Sequence, residues 1–239
     1  MADAKITALT SLAGTGVELG VDVLEIVDVS ITTNKKILVS NLLGAAYTAA
    51  GDIVQASGGG VAAKLAIGTA RQVPTVNAGA TALAYQNPIT LATEQASTSG
   101  TEIDFTSIPA GVRRITIMFV GVSTNGSSAI LVQLGDAGGF ETTVYSSAAG
   151  PAAIVSSTIG FLFFKSANSA FAYHGHMVLT LENAASFTWV ESGIGFEATN
   201  DVQMTAGSKS LSATLTSVRI TTVNGTDAFD AGAINISYE

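Results

Sequence analysis

Few residues in this chain could do chemistry. It has two histidines and no cysteine, and both histidines fall in one triplet, His174-Gly175-His176. On a strand, alternate side chains share a face, so the two imidazoles point the same way. Tyr173, Met177, Leu179 and Leu181 then take the opposite, more apolar face. Three copies of such a strand around a three-fold axis would present six imidazoles, an octahedral nitrogen set that suits iron. The plainer reading has both rings facing solvent or a polar interface. A single pair, set inside a domain rather than a needle, agrees with the plainer one.

Catalysis has little to build on. A nucleophilic triad would have to use His174 or His176, and no G-x-S-x-G elbow is present. Glycan cleavage needs a pair of carboxylates flanking the scissile bond. Glu182, Glu191 and Glu197 are the candidates, on neighbouring predicted strands. Glutamates on the open face of a sheet are ordinarily just solvated, so no catalytic residue is assigned. "GTGVELG", with Gly14 and Gly16, lacks the third glycine of a dinucleotide fingerprint, and "SGGGVAAK" lacks phosphate-loop spacing. Both read as turns, and no cofactor is implied.

Sugar recognition commonly uses exposed rings beside hydrogen-bonding side chains, which draws attention to Trp189, Tyr145 and Tyr173. Trp189 shares its predicted face with Phe187, which points to core packing. The stretches at residues 138–151 and 199–209 are rich in small polar residues and read as loops better suited to a site. Asp227 and Asp230, in "TDAFDAG", fall well short of a calcium ligand set. No metal ligand is assigned.

The composition limits the partners. Only 12% of the 239 residues are charged, about half the usual share, so much surface must be uncharged or hidden between subunits. The net charge is −8, and basic residues cluster no further than Lys35-Lys36 and Arg113-Arg114. Nucleic-acid binding requires a basic face to displace counterions, so that class is rejected. Without cysteine there is neither a disulfide nor a thiolate site. No segment offers 18 uninterrupted apolar residues for a membrane helix. "MADAKITALTSL" lacks the pattern of a secretion signal, so assembly in a cytoplasm is expected.

Three parts follow in order. Residues 1–50 read as a small module, with an alternating strand in "VDVLEIVDVSI", a turn at "TTNK", a returning strand "KILVS" and a brief helix capped by Ser40. Residues 51–95 carry short aliphatic pieces between glycine turns, none able to bury a face alone. Residues 96–239 hold the main domain. Pro109 to Gly111 turn into a long strand on which Ile115, Ile117 and Phe119 share one face. "SAILVQL", "STIGFLFF", "YHGHMVLTL", "FTWVESGIGF", "LSATLTSVRITTV" and "GAINISY" are further strands, and no segment has a long, strong helical period. The expectation is an all-β chain whose C-terminal part is a β-sandwich of jelly-roll type.

The order of parts resembles a bacteriophage tail-fibre or short virion appendage protein. "ITALTSLAGTGVELGVDVLEIVDVSITTNKKILVSNLL" is similar to an attachment-end module of such fibres. "GDIVQASGGGVAAKLAIGTARQVPTVNAGATALAY" is similar to their connecting segment, and "IDFTSIPAGVRRITIMFVGVSTNGSSAILVQLGDAGG" to their distal β-sandwich. Pro74 departs from the aliphatic residue expected there, and is expected to interrupt strand pairing around Val73. The resemblance implies a homotrimer docked through residues 1–50 on tail, baseplate, neck or head. It also implies an intertwined connector and an outward domain that touches a host-surface glycan. It implies no enzyme and no membrane insertion. Rival readings are an adhesive or carbohydrate-binding module of a bacterial surface system, and a glycan-degrading tailspike.

Overall fold

The computed structural model describes residues 23–27, 34–38, 49–56, 62–77, 79–151, 153–197 and 201–239. Every regular element among them is a β-strand. The chain divides into two compact units, Met1–Pro88 and Ile89–Glu239.

Among the described residues, the regular elements of the first unit are antiparallel two-stranded pairs. β1 (Val23–Val27) pairs with β2 (Asn34–Leu38). The expected turn at "TTNK" is in part strand, since Asn34 and Lys35 lie in β2. The Ser40 cap and the glycines at 14 and 16 lie outside the described residues. β3 (Ile53–Ala56) pairs with β4 (Ala62–Leu65), and β5 (Val73–Val76) with β6 (Leu83–Gln86).

The Gln55 side chain ties these two hairpins together. Its amide oxygen accepts from the Leu83 N–H at 2.8 Å. Asp52 closes the first hairpin by accepting from the Ala49 N–H at 2.9 Å and the Ile67 N–H at 3.1 Å. Pro74 does not interrupt the pairing: it stays in register with Tyr85. A two-stranded hairpin leaves one edge of each strand unpaired, so a missing donor on that edge breaks nothing. Ile67, Val73, Val76 and Leu83 remain exposed, so the hairpins bury little within one chain.

The second unit is a sandwich of two antiparallel sheets. Its strands are β7 (Thr90–Leu91), β8 (Gln95–Ala96), β9 (Ile103–Phe105), β10 (Arg114–Thr124), β11 (Ile130–Asp136), β12 (Gly139–Phe140) and β13 (Ser146–Ala149). They continue with β14 (Val155–Ser157), β15 (Phe161–Leu162), β16 (Tyr173–Asn183), β17 (Thr188–Glu197), β18 (Val202–Ser210), β19 (Ser217–Thr222) and β20 (Phe229–Tyr238). The larger sheet runs β14-β13-β18-β17-β16-β10-β20-β7, with β8 also on β20. The smaller runs β12-β11-β19-β9, with β15 on β11. The compact unit opens at Ile89, ahead of the residue 96 expected from sequence, because β7 and β8 both pair with β20.

One core fills the space between the sheets. Ile115, Ile117, Met177, Leu179 and Trp189 meet Ile130, Val132, Leu134, Val218 and Ile220. Phe161, Phe163 and Phe164 enter from the segment around β15. The Phe163 ring stacks on Phe119 with centroids 3.9 Å apart, and Phe164 meets Tyr173 edge-on at 4.7 Å. These rings need room on the opposing sheet. At Gly195 a Cβ would stand 2.2 Å from the Phe164 ring, and at Gly193 one would stand 3.0 Å from Met177.

Candidate functional site

The structure separates the residues that sequence reasoning singled out. His174 and His176 lie on the outward face of β16, as their spacing requires, with Tyr173, Met177 and Leu179 buried behind them. The His174 Nδ1 accepts from the Gly121 N–H at 3.2 Å. Among the described residues no group of three metal-ligating side chains forms.

The three glutamates do not meet as a pair. Glu182 is exposed near the end of β16, whereas Glu191 and Glu197 are buried on the inner face of β17. Glu191 and Glu197 stand six positions apart along one strand, about 20 Å, beyond the carboxylate spacing of either glycosidase geometry, about 5–9.5 Å. Glu191 accepts from the Thr205 hydroxyl at 2.6 Å through Oε1, while Oε2 has no partner. Burial pushes its carboxyl up to about 7, against the opposing pull of the Thr205 hydrogen bond.

The aromatic candidates are all in the core. Trp189, Tyr145 and Tyr173 are buried, so none offers a ring to a sugar. The Tyr145 hydroxyl accepts from the Leu134 N–H at 2.7 Å and donates to the Glu141 carbonyl at 3.1 Å. The Lys209 ammonium lies 5.0 Å from the Tyr145 ring centroid, donates to the Thr143 carbonyl at 2.8 Å and pairs with Glu141.

One of the two segments read as loops is largely strand, and the other carries two short strands. Residues 202–210 form β18, an inner strand of the larger sheet, and residues 138–151 contain β12 and β13. Small polar residues signalled a loop. Here the larger sheet is so well flanked that Thr205, Gly207 and Ser208 simply pair with their neighbours on β17. Asp227 is fully occupied. It accepts from the Ser128 N–H at 2.9 Å and the Asn224 amide at 2.6 Å, and these bonds, Asn224 first, lower its carboxyl. Asp230 is exposed on β20.

Two open concave surfaces adjoin, one where the β14 edge of the larger sheet meets the smaller sheet and one on the smaller sheet itself. A shallow depression of about 400 Å³ is lined by Ser127, Ser128, Ser156, Ser157, Ser166 and Lys165, among others. A second, of about 420 Å³, is lined by Glu102, Gln133, Arg219, Thr221 and Asn224. The two share Ile159 and Val223 on their walls. Arg219 is fixed in place. Its Nε and Nη2 donate to Asp104 at 2.8 and 2.7 Å, its third nitrogen pairs with Glu102, and its guanidinium covers the Phe140 ring at 4.1 Å. Hydroxyls with a few charged donors can bind a polyol by hydrogen bonds, but they hold no nucleophile with a base.

Sequence reasoning also missed the outward face of the larger sheet. Ile194, Phe196 and Met204 are 43%, 41% and 63% exposed there, beside Val190 and Val202. The signal was present in the alternation of "WVESGIGFE", but which half faced outward was not. No family model, curated protein or solved structure matches the chain.

Proposed function

We propose that the chain is a non-enzymatic structural subunit of a bacteriophage particle, a homotrimeric fibre or short appendage. Residues 1–50 dock on the particle, residues 51–95 connect, and residues 96–239 form an exposed head that holds a host-surface glycan. The head is read as a sandwich of jelly-roll type, supported by a chain that crosses between sheets from β8 to β9, β9 to β10 and β10 to β11. The observation that carries the attachment reading is the pair of adjoining, hydroxyl-lined depressions on the smaller sheet and at its junction with β14. The exposed aliphatics of the two connector hairpins support packing between chains. In a trimer, three weak sites reinforce one another through effective concentration.

The test is a glycan array probed with the full chain, followed by a reducing-sugar release assay on any glycan bound. Binding without release is expected, and Ser156→Trp, which fills the first depression, weakens it at least tenfold. Release of reducing ends would make the chain a glycan-degrading protein instead. Absence of binding to any glycan would overturn the attachment reading.

A further inference from the structure

The outward face of the larger sheet is built the wrong way round for a surface in water. Register places its side chains in rows that run across the strands. His174, Phe196 and Val202 form one row. Asn235, Met118, His176, Ile194 and Met204 form the next. Ser237, Thr116, Val178, Ser192 and Ala206 form a third. None of these rows contains Asp, Glu, Lys or Arg. The fourth, Arg114, Thr180, Val190 and Ser208, has one charge at its end, and Arg114 lies 3.4 Å from Glu239. On the opposite face of the same strands, Glu191, Glu197, Gln203 and Lys209 are buried.

From these rows we infer that the outward face of β10, β16, β17 and β18 packs against a second copy of this chain. The occupant follows from charge and area. The chain carries a net charge of −8, so two copies repel through most surfaces, and like charges brought face to face cost several kcal/mol. Across these rows they meet with no carboxylate opposed to another, and the charges of this face, Arg114 and Glu182, stand together at one end of it and are opposite in sign. With strands about 4.8 Å apart and residues rising about 3.4 Å, the four strands span about 400 Å², or about 600 Å² with β13 and β20 included. Side-chain relief adds to that flat footprint, which approaches the ~800 Å² per partner of a stable interface. Ile194, Phe196 and Met204 would be the anchors, with Val190 and Val202 beside them.

This inference rests on the oligomeric part of the proposed function, and the two fail differently. The chain has no cysteine, so Met204→Cys carries a unique thiol on the face and Thr226→Cys a control thiol in an exposed turn. Sedimentation of the full-length wild type and of both variants is read beside their labelling by a bulky maleimide. The expected result is a mass of at least twice the 24.1 kDa chain, with Met204→Cys labelled at least tenfold more slowly than Thr226→Cys. An oligomer in which both thiols react alike overturns this interface and leaves the oligomer standing. A monomeric wild type overturns both, whatever the thiol does. Glycan binding, read on the same preparations, reports on the attachment reading alone.

Discussion

The Thr205 hydroxyl donates to Glu191 Oε1 at 2.6 Å inside the sandwich, and the other oxygen of that carboxyl has no partner. Glu191 is 4% exposed, and burial raises its carboxyl to about 7 from an ordinary 4.5. The folded state therefore holds a proton that the unfolded chain has released between those two values, so stability falls as pH rises from about 4.5 to about 7 and is level above. Two and a half pH units correspond to roughly 3 kcal/mol at most. Glu191→Gln keeps an acceptor for Thr205 and removes the titration. Denaturant melts at pH 5 and pH 8 should show the variant more stable than the wild type at pH 8 by about 1–3 kcal/mol, with that gap closing at pH 5. A gap that stays constant with pH would exclude Glu191 as its source.

Tyr145→Phe leaves the ring in place and removes a hydroxyl that accepts from Leu134 and donates to Glu141. The Leu134 N–H then sits in the core without that acceptor, at a cost of about 1–3 kcal/mol. Chemical denaturation measures it, and a change under about 0.5 kcal/mol would mean that water replaces the hydroxyl.

Two glycines separate conformational cost from steric cost. Gly225 has φ +66° with nothing near its missing side chain, so Gly225→Ala costs about 1 kcal/mol for the left-handed backbone alone. Gly175 has φ +144°, and a Cβ there would stand 2.2 Å from the Ile194 carbonyl on the paired strand. Gly175→Ala should cost about 3 kcal/mol or more, since strain and overpacking add. Equal losses in a thermal melt would contradict the close approach of β16 and β17.

Val144 holds φ +59° although it is β-branched and 80% exposed. Its neighbours pin it: the Thr143 carbonyl accepts from Lys209 at 2.8 Å, and the Tyr145 N–H donates to Thr158 at 3.0 Å. Asparagine tolerates the left-handed region better, so Val144→Asn should gain about 1 kcal/mol. A loss of stability would show that the valine side chain packs on something.

Much of the strand framework was legible in the sequence. β10, β16, β17 and β20 are long alternating or aliphatic runs, and period two is enough to find them. β18 was not legible, because "VQMTAGSKS" is small and polar and pairs only through its place between β17 and β13. Nor were the adjoining concave surfaces between β14 and the smaller sheet, which draw on residues 101–102, 127–129, 155–159 and 219–225. The candidate rings failed for a related reason. Tyr145 looks like a surface residue among small polar neighbours until Phe161 arrives against it, and Tyr173, already on the apolar face of its strand, is covered by Phe164.

By itself, the sequence determined an all-β chain, a shared face for His174 and His176, and a surface short of charge. Alternation divides β17 into two sets of side chains, but it does not say which set faces water. Val190, Ile194 and Phe196 favour one set going inward, whereas Trp189, read as a core ring, favours the set that also carries Gly193 and Gly195. Only the tertiary structure decided this, by bringing Phe163, Phe164 and Met177 onto the glycines. A face that lacks side chains can accept bulk from a distant segment, and its apolar partner set is then left on the outside.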